Sequence, residues 1–193
     1  MRGEVGKGGS PRPSCTGRSP CPPDESELAL LTDAELRRLS RLRKTGDRGR
    51  FTTSTVLAKR AIAAELGINP RCVELDRRCE HCSADHGRPR VPGSGLHLSI
   101  AHASDVVGVA ITRSGPIGLD VEPDAGDDLR DLAGQLLGDG ERAATPVDVL
   151  RYWVRKEAAV KATGDGIGIG LRDVVVSGPE ERCKGSWLSG RSG

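Results

Sequence analysis

Trp153-Val-Arg-Lys-Glu-Ala-Ala-Val-Lys161 is the stretch around which the rest of the chain is organised. On an α-helix, Trp153, Glu157 and Lys161 are spaced at intervals of four residues and therefore lie on one face. This face presents a carboxylate and, one turn further on, an ammonium group. A helix with such a pair can contribute to a site for a phosphate group and its cation.

A second acidic stretch, Gly118-Leu-Asp-Val-Glu-Pro123, lies about thirty residues upstream. As a strand it would place Asp120 and Glu122 on one side and its apolar residues on the other. Mg²⁺ is bound through carboxylates and substrate phosphates, and a lysine can neutralise a phosphate oxygen. The two stretches therefore predict a divalent-metal site with Asp120, Glu122 and Glu157 as ligands. An ordinary surface pair of Glu157 with Lys161 is the alternative, but it leaves the acidic stretch unexplained.

The helix around Glu157 has clear predicted ends. Thr145 is a favourable N-cap residue with Pro146 behind it, and Gly164 stops the helix. The glycine-rich run 164–170 resembles a phosphate-binding loop only superficially. We reject a dinucleotide-binding loop there, because such a loop follows a strand and opens a helix.

Capping signals and hydrophobic periodicity predict the other elements. Thr32-Asp-Ala-Glu35 is a capping-box pattern that begins one helix, and Gly67 ends the next predicted helix along the chain. His102 falls between two strands rather than on an apolar face, which favours a ligand-facing role over an exposed or capping one. Predicted helices cover about 32–44, 53–66, 129–137 and 145–163, and predicted strands cover 73–75, 96–101, 106–112, 118–123 and 171–176.

Composition limits the functional classes. The net charge of +2 is near neutral, and only 2% of the 193 residues are aromatic, so the core must consist of Leu, Val, Ile and Ala. No run approaches the ~20 apolar residues of a membrane span, and the N-terminus has no apolar signal region. We expect a soluble, cytoplasmic protein without a membrane partner, whose six scattered cysteines are reduced. Residues 1–25, rich in Gly, Pro, Ser and Arg, are predicted to be a disordered leader.

Two further features support a competing hypothesis. The segment 37–50 holds seven basic residues opposed only by Asp47, which suits an acidic or phosphorylated partner or a solvated helix face. Cys79 and Cys82 with His86 could hold zinc, although a single CxxC indicates this weakly and a loop with incidental thiols is favoured. A nucleic-acid-binding module would use both features, but it leaves the acidic stretch without a role, and we expect no nucleic-acid partner.

The two stretches also carry a family resemblance. Gly118-Leu-Asp-Val-Glu122 and Trp153-x-x-Lys-Glu157-x-x-x-Lys161 resemble the two signature motifs of the 4'-phosphopantetheinyl transferases, in order and at a fitting separation. Leu98-Ser-Ile-Ala-His102 resembles the Ser-His segment of the family, and Gly87-Arg-Pro89 its Gly-Lys/Arg-Pro segment. The resemblance covers residues from about 26 to 176 and is to the larger, monomeric type that activates peptide and polyketide synthases.

The resemblance implies an α+β fold of two similar α/β halves, 26–115 and 116–193, related by a pseudo-two-fold axis with coenzyme A in the cleft between them. It implies an enzyme of the holo-[acyl-carrier-protein] synthase type, acting as a monomer. This enzyme would transfer the 4'-phosphopantetheine arm of coenzyme A to a serine of an acyl or peptidyl carrier protein. The reaction would release 3',5'-ADP and depend on Mg²⁺, with Mn²⁺ as an alternative.

The same resemblance implies roles for individual residues. Asp120, Glu122 and Glu157 would hold the metal ion, and Glu157 would also help to deprotonate the serine. Glu157 and Lys161 would be the catalytic residues. Coenzyme A would be bound by Arg50, Arg88, Pro89, His102, Lys156 and Lys161.

The sequence departs from the family pattern in two places. Ala101 replaces the serine that commonly precedes the histidine, and little apolar alternation follows Val176. We therefore expect either an abbreviated second half or a truncated copy. The alternatives to an active transferase are a degenerate, inactive one and another Mg²⁺-dependent phosphoester or pyrophosphate hydrolase, which would turn over nucleotides without a protein acceptor.

Overall fold

The computed structural model describes residues 13–79, 82, 84–85, 87–123, 129, 131–164 and 169–178, and the structural statements below concern these residues. They form an α+β fold in which a small antiparallel sheet packs against a long helix, and a second long helix follows. The elements in chain order are β1 (Ser14–Arg18), α1 (Glu25–Leu28), α2 (Asp33–Arg41), α3 (Thr45–Leu66), β2 (His97–Ala103), β3 (Val106–Thr112), α4 (Ala133–Leu136) and α5 (Pro146–Thr163), with short 3-10 helices at Pro70–Cys72 and Leu171–Asp173.

The sheet has the strand order β1-β3-β2, and both pairs are antiparallel. β2 and β3 confirm the two strands predicted from alternation, with Leu98 paired to Ile111. α3 covers one face, where Ile62 packs with both of these residues. Gly108 points to the opposite face, and a Cβ atom there would come within 2.9 Å of the Leu119 side chain. β3 is therefore buried on both faces and forms the centre of the sheet.

β1 corrects the expectation of a disordered leader over residues 1–25. Residues 14–18 pair with β3, although they are exposed and show no apolar alternation. Their backbone satisfies the outer edge of β3, and Arg18 binds the buried Glu27 of α1 at 2.5 Å. Periodicity misses such a strand, because it is held by the backbone of its partner rather than by its own side chains. Residues 1–12 lie outside the described part.

The helices α2 and α3 have the predicted terminal signals. Thr32 and Glu35 form a complete capping box at the start of α2. α3 ends at Gly67, whose φ of 67° lies in the left-handed region that favours glycine. Its start at Thr45 precedes the predicted one, because two glycines, which are weak helix formers, obscure the pattern there. One of them, Gly49, is needed for packing, since a Cβ atom would lie 3.0 Å from a backbone oxygen of the N-terminal segment.

Three of the predicted strands are wrong. Short alternating runs indicate which residues share a face, but they do not supply a partner strand. The run 73–75 is followed only by an isolated bridge between Asp76 and Arg90, and the run 171–176 begins as a 3-10 helix. The predicted helix over 129–137 is reduced to α4. The segments without a strand are 73–75, 118–123 and 171–176.

The division into two similar halves, 26–115 and 116–193, stays a prediction. The described residues that follow Thr112 form helices and no strand, so they contain no second sheet to compare with the first. None of the helices in the described part combines the length and hydropathy needed to cross a bilayer.

Candidate active site

α5 begins and ends as the sequence predicts. Thr145 forms a capping box with Asp148, and Gly164 ends the helix with a φ of 85°. The buried face of the helix includes Val149, Tyr152, Lys156 and Val160. Because each residue turns the helix by about 100°, Glu157 and Lys161 fall on the neighbouring, partly exposed face. α5 thus presents these two side chains at the edge of the packed interior.

The acidic stretch lies against α5 instead of joining a sheet. Gly118 permits this approach, because a Cβ atom at this position would come within 1.6 Å of the carbonyl oxygen of Ala158. The amide of Leu119 donates to Oγ of Ser99 at 2.9 Å. β2 therefore holds the stretch through a side chain and not through a strand ladder, and Asp120 reaches α5 without the predicted strand.

Asp120 and Lys161 form an ion pair between Oδ1 and Nζ. The side chain of Asp120 is only 5% exposed. Its other oxygen, Oδ2, is buried and has no hydrogen-bond partner among the described residues. A buried acceptor without a partner costs free energy, so this oxygen is available to a ligand.

Glu157 lies close to two other carboxylates, and this changes its pKa. Its pKa is raised, first by burial and then by the negative charge of Asp120. Glu122 raises the pKa further, whereas Lys161 lowers it. Glu157 thus interacts with two other carboxylates and with the ammonium group of Lys161, and the excess negative charge favours a cation or a proton.

A cavity of about 500 Å³ opens beside these residues. Glu157, Lys161, Arg88 and Ser99 contribute polar groups to its wall. The rest of the wall is mainly apolar and includes Ile100, Trp153, Val160, Ile169 and Leu171. The cavity can therefore hold a molecule that carries both a charged group and an aliphatic portion.

The donor set suits a divalent cation of the Mg²⁺ type. Carboxylate oxygens are the ligands that such an ion takes, and Asp120 has one oxygen unused. The side chains are not arranged around an ion, however, since no three candidate ligands converge in the described part of the chain. The strand that was predicted to bring Asp120 and Glu122 to one face does not form, and Asp120 is buried whereas Glu122 is exposed. The chemistry of the donors therefore fits such an ion.

Two comparisons with known proteins bear on this site. A sequence model of the 4'-phosphopantetheinyl transferase superfamily matches residues 116–189, the part that carries the acidic stretch and α5. The 4'-phosphopantetheinyl transferase HetI of Nostoc sp. (strain PCC 7120) is 31% identical over 169 residues, which cover 78% of this chain and 68% of the relative. The chain belongs to the 4'-phosphopantetheinyl transferase superfamily. This family acts on carrier proteins with coenzyme A as substrate and typically uses a divalent metal ion.

The family resemblance implies that Lys156 binds coenzyme A, and the structure contradicts this role. It is fully buried, and its ammonium group donates to Glu141, to Leu136 O at 2.7 Å and to Leu171 O at 3.1 Å. These contacts use all three N–H groups. Lys156 therefore holds the phosphopantetheinyl transferase fold together and has no donor left for a ligand.

The other predicted coenzyme A residues fall in two places. Arg88 and Pro89 line the cavity beside Glu157. His102 lies within β2, not in the turn as predicted, and is exposed. Arg50 reaches the same end of the sheet, where its Nη1 donates to Ser104 O at 3.5 Å. Contacts of these residues with coenzyme A stay predictions.

Three residues that support the site were missed in the sequence. Ser99 holds Leu119, Gly118 allows the contact with α5, and Glu141 accepts from Lys156. The signal for Ser99 was a polar residue in the middle of an apolar strand, and for Gly118 a glycine next to an acidic motif. Glu141 gave no signal, because it lies in an acidic loop remote in sequence from its partner.

The expectation that the protein has no nucleic-acid partner stays a prediction, since four cations of the basic stretch are exposed: Arg37, Arg41, Arg43 and Lys44. Within the basic stretch, Arg38 lies over the Phe51 ring at 5.5 Å from its centroid, and Arg48 donates to Leu39 O at 2.9 Å. These cations are engaged within the fold. No group of three potential zinc ligands is found among the described residues, and His86 of the predicted cluster lies outside them.

Replacing Gly118 with alanine is expected to lower the free energy of unfolding by about 1–3 kcal/mol, because the new methyl group forces the acidic stretch away from α5. Denaturant titration measures this. Gly134→Ala is the matched control, since a Cβ atom there meets no atom within 4 Å. Equal effects of the two substitutions would contradict the close contact at Gly118.

Glu157 is expected to make the metal-free protein less stable as the pH rises. Its folded-state pKa lies above the ordinary value of 4.5, so the folded protein retains a proton that the unfolded chain has released. Unfolding then releases this proton, and stability falls as the pH rises from about 4.5 through the raised pKa. Thermal melts with EDTA at several pH values measure this. The Tm of Glu157→Gln minus the Tm of the wild type should increase as the pH rises. A difference that does not change with pH would be evidence against the raised pKa.

Proposed function

We propose that the protein transfers the 4'-phosphopantetheine arm of coenzyme A to a serine of an acyl or peptidyl carrier protein, with Mg²⁺, and releases 3',5'-ADP. The observation that carries this proposal is the pairing of Asp120 with Lys161 close to Glu157, since the side chains of Glu157 and Lys161 line one cavity. Membership of the transferase superfamily supports the same reaction.

The reaction needs a proton acceptor beside the attacking serine. Glu157 has a raised pKa and lines the cavity, so it suits the role of general base. It takes the proton of the serine hydroxyl as the oxygen attacks the β-phosphorus of coenzyme A. A new P–O bond forms to the carrier serine, the bond to the 3',5'-ADP oxygen breaks, and the leaving group departs with the electron pair.

Negative charge grows on the pyrophosphate during this step. Lys161 stabilises it when its ammonium group exchanges Asp120 for a phosphate oxygen. Asp120, Glu122 and Glu157 would hold Mg²⁺, which would supply charge neutralisation for the phosphates. The unused Oδ2 of Asp120 supports its part in this ligand set.

The remaining parts of coenzyme A have counterparts in the structure. The apolar wall formed by Ile100, Val160 and Leu171 suits the aliphatic and amide portions of the pantetheine arm. Arg50 and His102, at the far end of β2, are proposed to contact the nucleotide part.

Intact-mass measurement of an apo carrier protein tests this function. Incubation with the protein, coenzyme A and Mg²⁺ is expected to add one phosphopantetheine arm to the carrier, and EDTA is expected to prevent the addition. Coenzyme A cleavage without any carrier would instead support a hydrolase. Coenzyme A binding without modification of acyl and peptidyl carriers would indicate an inactive transferase.

A further inference from the structure

The guanidinium group of Arg88 lies between the two segments that carry the site. Its Nη1 donates to the carbonyl oxygen of Ala162 at 2.9 Å, and its Nη2 donates to that of Ile117 at 3.0 Å. Ala162 directly follows Lys161 in the last turn of α5. Ile117 directly precedes the acidic stretch and lies three positions before Asp120. One planar side chain thus joins the backbones of both segments.

The surroundings of Arg88 suit this bridging contact. The side chain is half-buried, and its pKa is lowered first by burial and then by the charge of Arg90. Both of these acceptors are backbone carbonyls, and one of them lies at the C-terminal end of a helix, where carbonyls lack helical partners. The rigid, planar fork of a guanidinium binds two such acceptors in one plane and at a fixed separation.

The segments that Arg88 joins touch without an intervening side chain. Gly118 lies directly against Ala158, and the next residue, Leu119, is held by Ser99. A displacement of Ile117 would therefore carry Asp120 along with it relative to α5. Arg88, Ala158 and Ser99 thus each contact the segment that leads to Asp120.

We propose that Arg88 is a positioning residue, which fixes the acidic stretch against the end of α5 and is not itself a ligand of coenzyme A. The proposal rests on the proposed function for its kinetic consequences. It departs from the contact with coenzyme A that the family resemblance implies for Arg88.

The two roles predict opposite results for cation binding. If Arg88 acts only through its charge, its removal from the neighbourhood of Asp120 and Glu157 strengthens the binding of a divalent cation. If it positions the carboxylates, its removal weakens binding, because the ligands are no longer held together. The sign of the change therefore distinguishes positioning from electrostatics.

The experiment compares the wild type with Arg88→Met and Arg88→Lys. Arg113→Met is the matched control, since Arg113 also binds a backbone carbonyl, Ser94 O at 3.0 Å, together with Glu65. Mn²⁺ affinity is measured by electron paramagnetic resonance without coenzyme A, coenzyme A affinity by calorimetry, and kcat at saturating coenzyme A. Thermal melts establish that each variant is folded, and Arg88→Lys decides alone if Arg88→Met is not.

Positioning predicts a fall in kcat of about 10²-fold for Arg88→Met, weaker Mn²⁺ binding and a dissociation constant for coenzyme A within about threefold of the wild type. Arg88→Lys should recover part of the kcat, because it can reach one carbonyl. A ligand role would raise the dissociation constant for coenzyme A more than about tenfold with kcat retained, and this would overturn the proposal. Tighter Mn²⁺ binding by Arg88→Met, or a wild type that binds no Mn²⁺, would also overturn the proposal. If the wild type binds Mn²⁺ but transfers nothing, the proposed function fails and the Mn²⁺ comparison alone decides the role of Arg88.

Discussion

Glu157→Gln is expected to lower kcat for phosphopantetheine transfer by about 10²–10⁴-fold, the range that loss of a general base produces. The substitution keeps the size of the side chain but removes the group that accepts the serine proton. It also removes one of the carboxylates proposed to hold Mg²⁺. Steady-state transfer to a carrier protein measures the loss, and calorimetry with coenzyme A shows whether binding is retained.

Glu65→Gln is the matched control for this prediction. Glu65 lies on α3 and is bound to Arg113, away from the cavity, so its kcat should stay near that of the wild type. A Glu157→Gln variant with a kcat within about threefold of the wild type would remove Glu157 from the mechanism. The proposed function itself would still stand if the wild type transfers the arm.

Lys156→Met is expected to lower the free energy of unfolding by about 3–5 kcal/mol, the cost of breaking a buried ion pair by removing one partner. Glu141, whose side chain is 3% exposed, would lose the neighbouring cation. The carbonyls of Leu136 and Leu171 would lose a donor as well. Denaturant titration measures the change, and thermal melts should show a Tm lower by roughly 6–20 °C.

The double variant Lys156→Met/Glu141→Gln separates charge from packing. If the loss comes from the uncompensated carboxylate, the second substitution should restore part of the stability. Lys44→Met is the control at the exposed start of α3, where no side-chain capping bond exists. A Lys156→Met variant as stable as Lys44→Met would show that the buried contacts of Lys156 contribute little.

The sequence allowed α5 to be predicted almost to the residue, because its ends are set by local chemistry. Thr145, Pro146 and Gly164 each act within one turn of the helix, and the structure shows all three in these roles. β2 and β3 were also predictable, since their alternation is long and each strand borders the other. The motif composition also predicted that Asp120 lies close to α5, even though the predicted strand is wrong.

What the sequence did not reveal depends on partners that are distant along the chain. The acidic stretch alternates like a strand, but Ser99 takes the amide that a ladder would have used. Lys156 stands beside Glu157 in the motif, yet one step along a helix turns it into the interior towards Glu141. That turn follows from the spacing of Lys156 with Val149, Tyr152 and Val160, so helical periodicity could have placed it.

The burial of two lysines has a practical consequence for chemical labelling. Lys59 and Lys156 are 0% exposed, whereas Lys44 is exposed and the side chain of Lys161 is 36% exposed. An amine-reactive ester should therefore modify Lys44 and Lys161 and spare the other two in the folded protein. Peptide mass spectrometry of such a sample would read the occupancy of the cavity from Lys161, with Lys44 as an internal standard for reagent dose.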